Sequence, residues 1–258
     1  MSSRKFLSAF LVMAVLVTTS FAQSTSIRID FTPNSPTGFS PVSAVFHDGS
    51  YNAFNAGDNL SGTGLELLAE TGDNSAFLSE VPGSANVGTN GENLAPGESV
   101  SFTVDVADTN TQFNFASMVL FSNDWFVGNS QANTIDISSL IDGTNTEVVF
   151  DIADVYDAGT ETEDYTGVGG SGFFPFSTSG SLGVDIDNGS VSILDRSTNP
   201  YLDFTNTENL DLNGFDPTSL DGITAASLGS ISLTVVPEPS TFAVLAIGAA
   251  GLFSRRRR

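Results

Sequence analysis

Apolar and polar residues alternate along several short stretches of this chain, as they do in half-buried β-strands. The clearest stretch is Ser99–Val106, where serine, threonine and aspartate separate valine and phenylalanine at a period of two. Ser26–Phe31 repeats the pattern near the start of the chain. Similar apolar stretches predict strands at 42–47, 112–121, 147–155, 190–194, 201–204 and 230–236. Strands therefore dominate the predicted secondary structure.

One helical insert interrupts the strands. Leu65–Glu70 has the strongest helical pattern, and Gly72 ends it. A second helical turn is predicted at Ser75–Glu80, before Pro82, whereas the glycine-rich and polar residues 83–91 are typical of a loop. No repeat of fixed length appears along the chain. The predicted fold is all-β, an antiparallel β-sandwich with a short helical insert.

The two ends of the chain look like targeting segments for export rather than parts of the fold. Residues 1–22 combine a basic start, a short apolar run and a small-residue cleavage site after Ala22, which predicts a signal peptide. At the other end, Pro237, Glu238 and Pro239 precede the apolar run 242–253 and the terminal cluster Arg255–Arg258. As a helix this run would rise only about 18 Å, short of a full bilayer span.

This tail resembles the PEP-CTERM sorting signal of bacterial exosortase substrates, which has the same three parts in the same order. The resemblance implies an exosortase-type processing enzyme as a partner and a precursor that enters the membrane transiently through residues 242–253. An ordinary short tail anchor is the alternative. The predicted organisation is a signal peptide at 1–22, one domain at 23–236 and the sorting signal at 237–258.

Residues 23–236 are strongly acidic. They contain two basic residues, Arg28 and Arg196, and every acidic residue of the chain except Glu238, which gives a net charge near −27. Such a charge repels nucleic acids and anionic lipids, so no nucleic-acid partner is expected. It attracts divalent cations, although solubility in a salty habitat explains the same composition. Without cysteine, the chain has no disulfide, zinc-thiolate site or thiol nucleophile.

Two acidic stretches are candidates for chemistry. Asp124 follows the predicted strand 112–121, and Asp157 and Glu161 flank a tight turn at Ala158–Gly159. Loops at one end of a sandwich converge, and clustered carboxylates are ligands that Ca²⁺ prefers. By composition alone, solvent-facing acidic loops are the preferred explanation of these residues.

Other candidate residues have simpler interpretations. Residues 185–189 are similar to an EF-hand loop, but the glycine falls one position early, and a hairpin turn is preferred. His47 is the only histidine and is interpreted as a structural hydrogen-bonding residue, since no nucleophile elbow supports a catalytic triad. Trp125 is interpreted as a packing residue rather than a platform for sugars.

The stretches Asn123–Gly128 and Tyr156–Glu161 resemble the paired signatures of the spondin N-terminal domain, and the similarity extends from about 27 to 164. The resemblance implies a β-sandwich similar to a C2 domain, with a Ca²⁺ bound by Asp124, Asp157 and Glu161. Glu161 stands where animal members usually have aspartate, so the loop would have to adjust. The disulfides of animal members have no counterpart here.

The sequence thus favours a non-catalytic, exported adhesion or matrix module, stabilised by calcium and located at the cell surface or in the extracellular matrix. Extracellular polysaccharide or a surface protein is its expected partner. Two alternatives remain open. One is a secreted glycan hydrolase that uses paired carboxylates, and the other is a structural coat protein in which calcium only stiffens the loops.

Overall fold

The computed structural model describes residues 24–34, 38–120, 122, 124–161, 189–194 and 228–237. Within these residues, eleven strands run in chain order: β1 Ser24–Pro33, β2 Ser43–His47, β3 Asn86–Thr89, β4 Val100–Ala107, β5 Gln112–Met118, β6 Trp125–Gly128, β7 Ile135–Asp136, β8 Glu147–Asp151, β9 Val155–Asp157, β10 Ser192–Ile193 and β11 Gly229–Val235. The helices are α1 Gly64–Thr71, α2 Ser75–Glu80 and α3 Ser138–Ile141, with a 3₁₀ turn at Gln131–Asn133.

The strands form two antiparallel sheets. The first has four strands in the order β4-β1-β11-β8. The second has seven strands and follows the order β10-β9-β6-β5-β2-β3, with β7 paired to β5. In the first sheet β11, the last strand of the described chain, lies between β1 and β8. The sheet is therefore completed by residues far apart in sequence.

The alternation seen in the sequence places one face of each sheet in a shared core. Ile27, Ile29 and Phe31 of β1 are fully buried, as are Ile231 and Leu233 of β11. They pack in one cluster with apolar residues of the second sheet, including the fully buried Trp125. Because complete burial of one large apolar side chain stabilises a fold by about 1.5–3 kcal/mol, this cluster is the main support of the sandwich.

The helices lie on the outer face of the second sheet. Leu65, Leu68 and Phe77 pack with Phe126 and Tyr156 in a second apolar cluster on that face. Thr63 caps the start of α1 by accepting the Glu66 N–H through its side chain, and Gly72 ends the helix in the left-handed conformation. The predicted sandwich with a helical insert outside its strands is therefore confirmed.

One strand prediction and one loop prediction were wrong. The predicted single strand 147–155 is two strands, because β8 pairs with β11 in the first sheet while β9 pairs with β6 in the second. The predicted loop 83–91 contains β3, which pairs with β2. The elements β6, β7, α3 and the 3₁₀ turn were not predicted. The strand predicted at 201–204 lies outside the described residues.

The ends of the helices and strands were otherwise close to the predicted ends. Helix α2 has the predicted bounds, and α1 extends the predicted helix by one residue at each end. Pro33 ends β1, as the proline-rich break predicts. Among the described residues, no helix has the length and apolar character needed to cross a membrane.

Candidate functional site

A buried turn holds Asp124 at one end of the second sheet. The Val119 N–H donates to the Trp125 carbonyl at 2.8 Å, which closes the hairpin between β5 and β6. Inside this turn the Ser122 hydroxyl donates to the Val119 carbonyl at 2.6 Å and accepts the Trp125 N–H at 3.0 Å. Asp124, the residue before β6, is fully buried. The hydrogen bonds of the hairpin thus help to fix the position of Asp124.

The Asp124 carboxylate organises the segment that follows β9. Its Oδ2 accepts the backbone N–H of Thr160 at 2.9 Å and that of Glu161 at 3.1 Å. The Asp124 main-chain carbonyl also accepts the Ala158 N–H at 3.1 Å. A carboxylate that accepts backbone N–H groups makes charge-assisted hydrogen bonds, which are stronger than neutral ones. Asp124 therefore fixes the turn that carries Glu161, which is itself buried.

Asp157 ends β9 and lies opposite Trp125 in the strand pairing. Its Oδ1 accepts the Gly159 N–H at 2.7 Å, which forms a tight turn. Burial raises the pKa of the Asp157 carboxyl, although the hydrogen bond from Gly159 acts in the opposite direction. The structure thus brings Asp124, Asp157 and Glu161 into one region, which we call the acidic corner.

The backbones of Gly159 and Gly189 are in close contact at the side of the acidic corner next to β10. A Cβ atom on Gly189 would lie 1.4 Å from the Gly159 carbonyl oxygen, so a larger residue at 189 would have to displace the turn. Gly159 has φ of +66°, and a Cβ there would lie 2.7 Å from the Ser190 carbonyl oxygen. Nothing in the sequence pattern indicated this close approach, because its two partners are remote along the chain.

The three carboxyl groups are neighbours but do not converge on one point. The described residues include no group of three histidine, cysteine, aspartate or glutamate side chains arranged to hold a metal ion. The corner offers buried and half-buried carboxylates, which are the type of ligand that hard cations prefer. The ligand set Asp124, Asp157 and Glu161 remains a prediction. The EF-hand-like stretch lies outside the described residues except for Gly189.

Carboxylates elsewhere in the fold have a different role. Asp48, Asp73, Asp136 and Asp142 each accept the N–H of the residue two positions later, at 2.8–3.0 Å. Side-chain and backbone hydrogen bonds from those same downstream residues lower the pKa of all four carboxyl groups. Such turns explain a share of the acidic composition without any cation.

His47 and Trp125 have the structural roles that the sequence predicted. The His47 Nδ1 accepts the Gly49 N–H at 3.0 Å, so Nε2 carries the proton and donates to Asn114 Oδ1 at 2.6 Å. Both ring nitrogens of His47 are thus occupied by local partners, which leaves none for a serine nucleophile. Trp125 is fully buried in the core between the sheets.

Sequence reasoning missed a buried amide network beside His47. Asn114 donates to the Asn129 carbonyl at 2.9 Å, and the Asn129 side chain accepts the Phe115 N–H at 2.7 Å. Asparagine between two phenylalanines in a predicted strand is the signal that could have indicated it. The network ties β5 to the segment after β6.

Comparison with known proteins places the domain and the tail in different families. The family model described as Spondin_N matches residues 15–166. The PEP-CTERM protein-sorting motif matches residues 235–258, which includes Pro237 among the described residues and Glu238 and Pro239 outside them. Comparison with curated proteins gives no match.

Proposed function

Because the chain belongs to the Spondin_N family and carries a PEP-CTERM sorting motif, we propose that it is a non-catalytic extracellular binding module stabilised by calcium. The motif is that of exported proteins that reach the cell surface through a membrane-anchored precursor and an exosortase-type system. The family is one of non-enzymatic modules. Extracellular polysaccharide or a surface protein is the proposed ligand.

The acidic corner is the observation that carries the calcium proposal. Asp124 and Glu161 are buried next to each other in sequence-distant segments, and Asp157 is half-buried beside them. Burial of carboxylates is costly unless their charge is compensated. Asp124, Asp157 and Glu161 would hold the ion, and a bound Ca²⁺ supplies positive charge to a region of high negative charge density.

Calcium would require a local rearrangement. Asp124 Oδ2 and Asp157 Oδ1 now accept backbone N–H groups, and the three carboxyl groups do not share a centre. Binding therefore needs Asp157 and Glu161 to turn toward a common point while the hairpin keeps Asp124 fixed. Stabilisation of the turn 158–161 is the expected consequence, and this turn is the proposed link between calcium and ligand binding.

Affinity for the producer's own extracellular polymer tests the proposal. Mature protein should be retained on immobilised polymer with calcium and released by a chelator. Asp124→Asn should reduce retention, whereas Asp142→Asn, in an exposed turn, should not. Retention that ignores both calcium and Asp124→Asn would separate the acidic corner from ligand binding. Stabilisation by calcium without polymer retention would favour the structural coat protein.

Sorting is tested separately by mass spectrometry of the cell-surface protein. The mature form should begin near Gln23 and lack Arg255–Arg258, because both terminal segments are predicted to be removed. A complete C-terminus on the surface protein would contradict processing by an exosortase-type enzyme, irrespective of calcium.

A further inference from the structure

The segments that lead to the two ends of the chain leave the sandwich at the same pole. β1 begins at Ser24 and β11 ends at Val235, and the two strands pair antiparallel. Just beyond β11, the Val236 N–H donates to the Ser26 carbonyl at 2.8 Å. Ala107, the last residue of β4, lies opposite Ser24 in the pairing. We call this end of the sandwich the terminal pole.

The second sheet ends at the same pole. Asn86, the first residue of β3, accepts the Ala107 N–H through its Oδ1 at 2.8 Å, and it lies opposite Phe46 in the pairing with β2. The terminal pole is therefore a shared end of both sheets rather than a feature of one strand.

The acidic corner lies at the opposite pole. The ring of Phe31, near the end of β1, packs edge-on against the ring of Phe39, with centroids 5.3 Å apart. Phe39 in turn pairs with Val119, which begins the turn that holds Asp124. β1 contains ten residues. At a rise of about 3.3 Å per residue, it separates the two poles by roughly 30 Å.

The chain between the fold and the sorting tail is short. Residues 236–241 separate the end of β11 from the apolar run that starts at Phe242. In any conformation this stretch spans at most about 25 Å. The domain carries a net charge near −27 and is repelled by an anionic membrane surface. A short attachment at one pole and repulsion over the whole body favour an upright domain.

We propose that, in the membrane-anchored precursor, the terminal pole faces the membrane and the acidic corner faces away from it. This inference rests on the proposed anchoring of the tail. It adds an orientation of the domain to that anchoring. The acidic corner is held about one domain length from the bilayer, where an extracellular polymer or a neighbouring surface protein can reach it. The terminal pole is correspondingly the surface that a membrane-bound processing enzyme meets first.

The absence of cysteine makes single-cysteine labelling straightforward. Ser99 and Thr109 are both exposed and flank β4 at its two ends, Ser99 on the side of the acidic corner and Thr109 at the terminal pole. Ser99→Cys and Thr109→Cys therefore form a matched pair. Both variants are prepared as exported precursor with the C-terminal tail intact. Both are labelled with the same fluorophore. Each variant is then reconstituted in phosphatidylcholine–phosphatidylglycerol vesicles that carry a headgroup quencher.

The probe at Thr109 should be quenched at least twofold more than the probe at Ser99, and detergent should abolish the difference. Insertion of about 20 glycine and serine residues between Val236 and Pro237 adds an average reach near 25 Å and should reduce the difference. Equal melting temperatures of the two labelled variants control for damage to the fold.

Two results would overturn the inference, and they differ in what else they reject. Vesicle-bound precursor with equal quenching at both positions, or with stronger quenching at Ser99, rejects the orientation while anchoring stands. Precursor that fails to float with the vesicles rejects the proposed anchoring itself, and the orientation falls with it.

Discussion

The carboxylates of this protein occupy two kinds of environment. Asp48, Asp73, Asp136 and Asp142 lie in exposed turns, where a hydrogen bond from two residues downstream lowers their pKa. Asp157 also accepts a hydrogen bond from two residues downstream, yet burial raises its pKa. The backbone hydrogen bond is common to all five aspartates, but Gly159 lacks the hydroxyl group that adds a second hydrogen bond at the other four. Burial by the surrounding fold has the largest influence on the Asp157 pKa and distinguishes the acidic corner from the other acidic loops.

Truncation of Asp124 should have the largest effect on stability. Asp124→Ala leaves the buried N–H groups of Thr160 and Glu161 without their acceptor, at a cost of about 3 kcal/mol. Urea denaturation of the mature protein without calcium measures this. Asp142→Ala is the control, because its exposed turn can bond to water, and it should shift the midpoint far less. Equal shifts of the urea midpoint in both variants would show that the buried Asp124 contributes no more to stability than the exposed Asp142.

Calcium should act on the corner alone. A ligand that binds only the folded state stabilises it by about 2.7 kcal/mol at a hundredfold excess over its dissociation constant. The melting temperature should rise with Ca²⁺, fall with chelator and respond less to Mg²⁺. Asp124→Asn and Asp157→Asn should each blunt the response, whereas Asp73→Asn should not. A similar small effect of every acidic substitution, reproduced by sodium chloride, would indicate charge screening instead.

Gly189→Ala tests the corner without altering a charge. The added methyl group would collide with the Gly159 carbonyl, and overpacking of this kind costs about 2 kcal/mol. Hydrogen exchange of the Gly159, Thr160 and Glu161 amides should speed up, while exchange in β1 and β11 changes little. Gly83→Ala is the matched control, since no atom lies within 4 Å of the added Cβ. Unchanged exchange at 159–161 would show that the contact does not support the turn.

The smallest effect concerns pH. Because the folded-state pKa of Asp157 is raised above its ordinary value, its contribution to stability is present at low pH and is lost as pH rises through the folded-state pKa. Asp157→Asn should therefore gain stability relative to the parent as pH rises through this range. The contribution of Asp142 depends on pH in the opposite direction. Because its folded-state pKa is lowered, it contributes stability at pH values above its ordinary pKa, and this stability is lost as pH falls through the folded-state pKa.

Denaturation midpoints between pH 2.5 and 7 for the parent and the two asparagine variants measure these opposite slopes. Parallel pH profiles for Asp157→Asn and Asp142→Asn would show that burial does not separate the two groups.

Local pattern predicted most of the fold, because burial in a sandwich imposes alternation on each strand. The prediction failed where the secondary structure depends on strand pairing between residues that are distant in sequence. Residues 147–155 keep their alternation through Ile152, so the sequence gives no sign that the chain leaves one sheet for the other. Residues 83–91 have the composition of a loop, but pairing with β2 makes 86–89 a strand, with Gly88 leaving room for Val104.

The candidate site shows the same limit. Acidic residues after a strand predicted which side chains would lie together at the end of the sandwich. The burial of Asp124 and its bonds to Thr160 and Glu161 join residues 36 and 37 positions apart, which no periodicity reveals. The contact of Gly159 with Gly189 likewise joins segments that are distant in sequence. Geometry of this kind follows from tertiary packing, so the arrangement of the three carboxyl groups could not be inferred from spacing.

The central position of β11 has a consequence for the order of events during secretion. β1 and β8 are synthesised before β11, but both pair with it, so the first sheet cannot be completed until residues 229–235 have crossed the membrane. The sorting motif follows without a gap, since its match starts at Val235. Completion of the fold and delivery of the tail to the membrane are therefore nearly simultaneous, and a chain truncated before β11 would reach the outside with its core open.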